Sequence, residues 1–406
     1  MVTKNHLPLL CNLVKIKLKS LSYCKQIPSL GDLPNLQVIE MDKLGSVECI
    51  GNEFYGCTNL DGASSSSNRH EATVTTLFPA LRELVLRHMN GLSKWSDAMI
   101  QSYSSSIKLF PLLEELSLDS LRKLALLPNL GDLKYLRRLN IDGCGNLIRL
   151  PISKGLKSLQ NLTIVRCPNL TSLFSEYFYE GLQGFGSIES IYLVGCPNLV
   201  GVPEIHSLHS LRRLLIDGCD RVFASWTRLE TLTTVEGLTI ISSAPFLPTD
   251  LQYLTSLTSL TIGINYDDGD NEPLDYFPWH NSKSGSSSSD NNIQPCFVSL
   301  KSLELRGWRN LKSLPEQIQY ISALRDLTID HFDGLEVLPE WLGNIPCLEK
   351  LKIWNCENLK QLPEAMKCLT CLQQLSIWNC PLLAERFTED SGTEWHKIAH
   401  IPNIDI

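Results

Sequence analysis

The sequence predicts an α/β solenoid, a stack of similar coils, where 406 residues would ordinarily make about two or three globular domains. Three observations predict it. The phrase LEKLKIWNC at 348–356 returns as LQQLSIWNC at 372–380. Its frame, L-x-x-L-x-[IL]-x-x-C, recurs back to residue 13. Where the spacing widens, the extra residues always fall after one alternating stretch and before the next.

In chain order the units begin LVKIKLKSL at 13, LQVIEMDKL at 36, LRELVLRHM at 81, LEELSLDSL at 113, LRRLNIDGC at 136, LQNLTIVRC at 159 and IESIYLVGC at 188. They continue LRRLLIDGC at 211, VEGLTIISS at 235, LTSLTIGIN at 257, LKSLELRGW at 300, LRDLTIDHF at 324 and the two opening phrases, which makes fourteen. Starts lie mostly 22 to 24 residues apart, with gaps of 45, 32, 29 and 43 before units three, four, seven and eleven. This period and frame are the leucine-rich-repeat signature. The expected fold is a horseshoe of about 14 coils, with a parallel sheet on the concave wall and short helical or irregular segments on the convex side.

The physical basis of the frame is alternation. L-x-L places Leu and Ile on one face of a short strand. One coil cannot bury that apolar edge by itself, so neighbours must stack and align their strands. Fourteen strands at roughly 4.8 Å would make a wall about 65 Å long, which suits a large partner. On the way back, Pro315, Pro339 and Pro363 forbid strand continuation, and Ile318, Leu342 and Met366 should turn inward on a helical or 3₁₀ stretch.

Cysteines follow the repeat. Cys144, Cys167, Cys196, Cys219, Cys356 and Cys380 hold the ninth position, which Leu44, Met89, Leu121, Trp308 and Phe332 hold in other units. A slot that accepts thiol, thioether, aliphatic and aromatic groups is a buried packing site. Disulfides would be the alternative, and they would need an oxidising compartment.

The solenoid is expected over 1–385, with extensions near 52–77, 96–109, 174–186 and 264–297, and a C-terminal cap over 386–406 that mixes charge with Trp395, Ile398 and Ile401. Serine-rich stretches at 62–76 and 281–292 read as solvated linker. The first unit is in register by residue 13, so a preceding domain is expected to cover it.

Composition excludes several functions. Net charge is −8 with no phosphate-tracking run of Lys and Arg, so no nucleic-acid partner is expected. No apolar window is long enough for a membrane span and no cleavable leader is apparent, so a cytoplasmic location is expected. The chain lacks GxxxxGK[ST], GxGxxG, HExxH and GxSxG, so no enzyme, cofactor or metal is assigned. Cys368 and Cys371 form one CxxC without a second pair. His396 and His400 read as part of a cap, and Asp267 and Asp268 fall in an extension.

What remains is the wall, where each unit exposes its third, fifth and seventh residues. Lys15, Lys17 and Lys19 of the first unit stand beside Glu40 and Asp42 of the second, an opposite-charge pairing. The middle is softer, with Val165, Tyr192, Val194, Leu215 and Ile241. At the C-terminal end the candidate protein-binding letters are Glu304, Arg306, Thr328, Asp330, Lys350, Lys352, Trp354, Gln374, Ser376 and Trp378. Trp354 and Trp378 should stack side by side. Either they form a binding hot spot, or the tail folds over them.

The phrasing resembles a known family, the leucine-rich-repeat domains of plant intracellular nucleotide-binding immune receptors of the coiled-coil class. The residues that carry it are IPSLGDLPNLQVIEMDKLGSVECIGNEFYG at 27–56, LPNLGDLKYLRRLNIDGCGNLIRLP at 127–151, the C-x-N-L units and the closing EWHKIAHIPNIDI. The resemblance implies a non-catalytic recognition domain that senses a pathogen effector, directly or through a guarded host protein, and helps hold an adjoining switch off. ADP or ATP would belong only to an upstream nucleotide-binding domain, the other implied partner. The rival readings are a free-standing repeat scaffold and the substrate-binding part of a ubiquitin-ligase adaptor; a cell-surface ectodomain would require few free thiols.

Overall fold

Alternating Leu and Ile become strand wherever the frame places them. The computed structural model describes residues 10–56, 74–98, 106–129, 133–150, 156–173, 185–200, 208–225, 231–242, 251, 254–264, 297–387 and 394–406. Both serine-rich stretches, at 62–76 and 281–292, lie almost wholly outside these residues, as do Asp267 and Asp268. The chain divides into two compact units, Met1–Leu211 with Arg221–Trp226, and Arg212–Asp220 with Thr227–Ile406.

The first unit carries seven parallel strands, one for each of coils 1 to 7: Lys15–Lys19, Val38–Asp42, Glu83–Arg87, Glu115–Asp119, Arg138–Asp142, Asn161–Val165 and Ser190–Val194. The second carries Arg213–Asp217, Gly237–Ser242, Ser259–Ile264, Ser302–Arg306, Asp326–Asp330, Lys350–Trp354 and Gln374–Trp378 for coils 8 to 14. Within each unit the strands hydrogen-bond in chain order and in matching register. Leu327, Leu351 and Leu375 stand side by side, as do Ile329, Ile353 and Ile377. The frame thus describes a leucine-rich-repeat solenoid. Further strands lie outside it: Cys49–Ile50 pairs with Lys94–Trp95, Val74–Leu77 pairs with Ser106–Leu109, and Asn403–Asp405 in the closing segment adds parallel to Gln374–Trp378.

The core is the stack of frame residues. Leu84, Leu116, Leu303 and Leu351 are at most 1% exposed, and so are Trp308 and Phe332 of the ninth position. All twelve described cysteines are free, and the six of the ninth position are buried, so the disulfide alternative does not hold for them. Each thiol turns back to its own strand, as Cys167 Sγ does to the Val165 carbonyl at 3.3 Å and Cys356 Sγ to that of Trp354 at 3.2 Å. The adjoining thiols of Cys144 and Cys380, together with burial, push Cys167 and Cys356 up, so both stay protonated.

The return segments follow the prolines. 3₁₀ turns at Glu316–Tyr320, Glu340–Asn344 and Glu364–Cys368 begin immediately after Pro315, Pro339 and Pro363, and bury Ile318, Leu342 and Met366. Glu340 ties successive coils together by accepting the backbone N–H groups of Glu364 and Ala365 at 3.1 and 2.9 Å.

A turn at the eighth position ends most strands. Ser20, Lys43, His88, Ser120, Arg166, His331, Asn355 and Asn379 have φ between 50° and 61°, and Gly143, Gly195, Gly218 and Gly307 take positive φ at the same place. This left-handed step disfavours branched side chains. Coils 9 and 10 have Ser242 and Ile264 there, and their strands instead run one residue longer, to those residues themselves.

The block that ends in GNEFYG is folded into the core. Asn52–Tyr55 forms one helical turn, and Phe54 packs on Phe78, which packs on Phe110, with ring centroids 4.9 and 5.0 Å apart. Tyr55 Oη donates to the Ser96 carbonyl and accepts from Trp95 Nε1, both at 2.9 Å. Gly31 lies so close beneath this turn that a β-carbon would overlap the Tyr55 carbonyl oxygen.

At the C-terminal end Ile398 and Ile401 are buried, and Trp395 packs edge-on against Phe387 at 5.4 Å. Glu394 and Lys397, 2% and 6% exposed, close the stack. Lys397 Nζ donates to the Leu362 carbonyl at 2.7 Å and meets Glu394 Oε2 at 2.9 Å, while that oxygen accepts the Leu362 N–H at 3.1 Å. Side chains from the tail therefore satisfy both backbone groups of Leu362, which has no further coil to pair with.

Candidate functional site: the open sheet face of coils 11 to 14

Pleating sends the third, fifth and seventh residues of each coil outward, and matching register turns them into rows. Glu304, Thr328, Lys352, Ser376 and Asp405 form one row, and Arg306, Asp330, Trp354 and Trp378 another. The structure thus brings the sequence-derived letters onto one face, but they differ in availability.

Asp330 is a hub. It is 6% exposed and meets Arg306 Nε at 3.3 Å and His331 Nδ1 at 2.7 Å, while its Oδ1 accepts from Asn355 Nδ2 at 2.7 Å. Asn379 Nδ2 then donates to Asn355 Oδ1 at 2.9 Å, so the chain of amides runs along the rim of three coils. The wall positions alone do not reveal Asn355 and Asn379. The visible signal is the repeated WNC, whose Asn holds the left-handed eighth position.

Ser376 is nearly buried, and Glu304 and Thr328 are half-buried; Thr261 Oγ1 donates to Glu304 Oε2 at 3.4 Å. Lys350 is exposed and lies 3.9 Å from Asp326, and Gln374 is half-buried beside it in register.

The tryptophans are register partners but do not stack. Among the described residues the aromatic pairs lie elsewhere; Trp354 points its Nε1 toward Ser376 Oγ at 3.5 Å and carries the Lys352 ammonium 5.2 Å from its ring centroid. Trp354 is half-buried by these contacts. Trp378 is 64% exposed. The terminal strand pairs only with Gln374, Leu375 and Ser376 and stops short of Trp378, so it does not cover that ring.

In the first unit the sheet face of coils 1 to 3 is occupied by charge. Lys17 and Lys19 contact Glu40 at 2.5 and 2.8 Å, with Arg87 at 3.7 Å, and Asp42 meets His88 at 2.9 Å. Hydrogen bonds from Lys17 and Lys19 hold Glu40 at about 2, well below the usual carboxylate range. This is the lateral pairing expected from the sequence, and it leaves Glu40 buried. Val165, Tyr192, Val194 and Leu215 are half-buried, and Ile241 is buried.

No metal-binding cluster of His, Cys, Asp and Glu occurs among the described residues. The helix Trp395–Ile398 stops before His400, so His396 and His400 are not two turns of one helix. His396 faces Glu364 at 3.5 Å and His400 the Leu369 carbonyl at 3.1 Å. A cavity of about 520 Å³ in the first unit is lined by Ile27, Phe54, Glu48 and Cys49 among others. No helix among the described residues is long and apolar enough to cross a membrane.

The profile of the R13L1/DRL21 leucine-rich repeats matches residues 316–380, the coils that carry the tryptophans. A comparison with curated proteins finds no match. Among solved structures, a leucine-rich-repeat protein of Leptospira interrogans is similar at 16% identity and TM-score 0.37, covering 99% of this chain and 97% of that one. An internalin of Listeria monocytogenes aligns at 14% identity and TM-score 0.44, over 98% and 88%. The leucine-rich-repeat domain of the type III effector XopL aligns at 23% identity and TM-score 0.40, over 60% and 76%. The fold defines the class, a leucine-rich-repeat solenoid, and the matched repeats lie at its C-terminal coils.

Proposed function

We propose that the chain is the non-catalytic recognition domain of an intracellular plant immune receptor, binding a pathogen effector or a guarded host protein on the sheet face of coils 11 to 14. One observation carries this reading. Among the described residues Glu40, Glu115 and Asp330 are each paired with a cation of an adjoining coil, whereas Trp378 stands exposed beside Trp354 and Lys352. Large amphipathic rings at the centre of a polar rim are what interfaces use for most of their binding energy. The R13L1/DRL21 match over these same coils supports the plant-receptor context, as does the block at 27–56.

On this reading the domain works by occupancy. A partner seated on the face would be sensed by an adjoining nucleotide-binding switch that the domain otherwise restrains. The test is to display the chain against a panel of secreted pathogen proteins and host proteins they target, and to repeat each positive with Trp354→Ala/Trp378→Ala. A loss of at least tenfold in affinity supports the reading. Binders that ignore both substitutions would move the function off this face and favour a plain scaffold. Reading the transcript upstream for an in-frame GxxxxGK[ST] tests the receptor context separately.

A further inference from the structure

Coils 13 and 14 each place an exposed free cysteine at the residue before the frame begins, Cys347 and Cys371. In other coils that position holds residues such as Ala323, Ser299, Ser256 and Ser158. The two coils superpose residue for residue across a 24-residue step: the 3₁₀ turns Glu340–Asn344 and Glu364–Cys368, then the strands Lys350–Trp354 and Gln374–Trp378. The ladder between them opens right after the cysteines, with Gln373 N and Gln374 N both donating to the Glu349 carbonyl at 2.8 and 3.0 Å. Equivalent α-carbons on the paired strands that begin three residues later lie roughly 4.8 Å apart, inside the range of about 4.4–6.8 Å that a disulfide spans.

Side chains at this position lean toward the preceding coil. Ser158 of coil 6 donates to the Lys134 carbonyl of coil 5 at 2.7 Å, and Asn35 of coil 2 to the Cys11 carbonyl of coil 1, also at 2.7 Å. The same lean would take the Cys371 thiol toward the Pro346–Cys347 segment of coil 13. Cys368, three residues before Cys371, belongs to the same coil, and its counterpart in coil 13 is Asn344. The ninth-position thiols are buried and bonded to carbonyls, and so are out of reach of a soluble reagent.

We propose that Cys347 and Cys371 form a two-thiol modification site that a soluble disulfide of the glutathione type converts to an inter-coil disulfide. The thiolate of one cysteine attacks a sulfur of the oxidised glutathione, forming a mixed disulfide and expelling one glutathione thiolate. The second cysteine's thiolate attacks the protein sulfur of that mixed disulfide and expels the other. The two thiol protons pass to the two leaving thiolates, so the protein loses two hydrogens and one glutathione disulfide becomes two glutathiones. The bridge ties together the coils that carry Trp354 and Trp378, at the edge from which both strands start.

The test treats the reduced intact chain with glutathione disulfide at neutral pH, blocks remaining thiols, digests with trypsin and maps the linkages by mass spectrometry. The expected product joins peptide 326–350, which holds Cys347, to peptide 368–386, which holds Cys371. Cys347→Ser and Cys371→Ser each abolish it and Cys368→Ser leaves it. Phenylarsine oxide, which bridges two near thiols with loss of water, should protect the same pair from alkylation. A link confined to Cys368 and Cys371 within one peptide, or separate glutathione adducts on Cys347 and Cys371 with no bridge, would overturn the proposal.

Discussion

Replacing Lys397 with Met should open the C-terminal end of the solenoid, and the structure sets the size of the effect. Lys397 and Glu394 are both buried, 2.9 Å apart, and between them hold the N–H and C=O of Leu362. Methionine keeps the length of the stem but leaves the Glu394 carboxylate buried without its counter-charge, which costs about 3–5 kcal/mol. The carbonyl of Leu362 also loses its donor, and an orphaned buried acceptor carries a penalty of its own. The double variant Glu394→Leu/Lys397→Met removes both charges together, so its cost should fall well short of the sum of the two single changes. A stack of coils opens in parts, so the readout must be local. Amide hydrogen exchange at Leu362 and across 395–401 should speed up by roughly two to three and a half orders of magnitude in Lys397→Met, since each 1.4 kcal/mol is about tenfold. Exchange at Leu327 and Leu351 should change far less. A change under tenfold at Leu362, or a double variant equal to the sum of the singles, would refute the coupled lock.

Other perturbations have equally specific outcomes. Glu40 is held at about 2 by Lys17 and Lys19, below its unfolded value of 4.5, so its contribution is full above that value and fades as pH falls toward 2. Exchange at Ile39 and Met41 should accelerate over that window in the wild type, and the Glu40-dependent part of the acceleration should vanish in Glu40→Gln. Gly31→Ala forces a β-carbon into the Tyr55 carbonyl, and should cost about 1–3 kcal/mol by chemical denaturation while loosening the Phe54–Phe78 contact. Asn355→Val puts a branched residue into a left-handed turn and breaks the amide chain between Asp330 and Asn379, so thermal stability should fall, whereas Asn355→Gly should recover part of it. Trp378→Ala should leave stability within about 0.5 kcal/mol, because the ring is mostly in solvent.

Much of this was legible in the sequence because one coil is a local object. L-x-x-L-x-[IL] fixes which face of each strand is buried, and repetition fixes the register, so the order of the fourteen strands needed no long-range guess. The ninth-position cysteines were legible as packing because Leu, Met, Phe and Trp share their slot. Contacts between positions of different coils were harder. Asp330 reads as an outward letter, yet Arg306, His331 and Asn355 converge on it and bury it. The two tryptophans read as a stack, but Ser376 and Lys352 offer the Trp354 ring a hydrogen bond and a cation instead. The closing strand was hidden because Asn403–Asp405 lacks the Leu pattern, and its pairing comes from the free edge of the last coil. Nor did the frame show Phe54 and Tyr55, which lie beyond a strand and enter the core through the close approach at Gly31.

The most direct test of the recognition surface places a photo-crosslinking residue at one wall position and one outer position of the same coil, Gln374 and Glu364, and exposes each variant to a confirmed partner. The account predicts crosslinks from Gln374, suppressed by Trp378→Ala, and none from Glu364. Crosslinks from Glu364 alone, unaffected by Trp378→Ala, would contradict it and move recognition to the outer side of the coils.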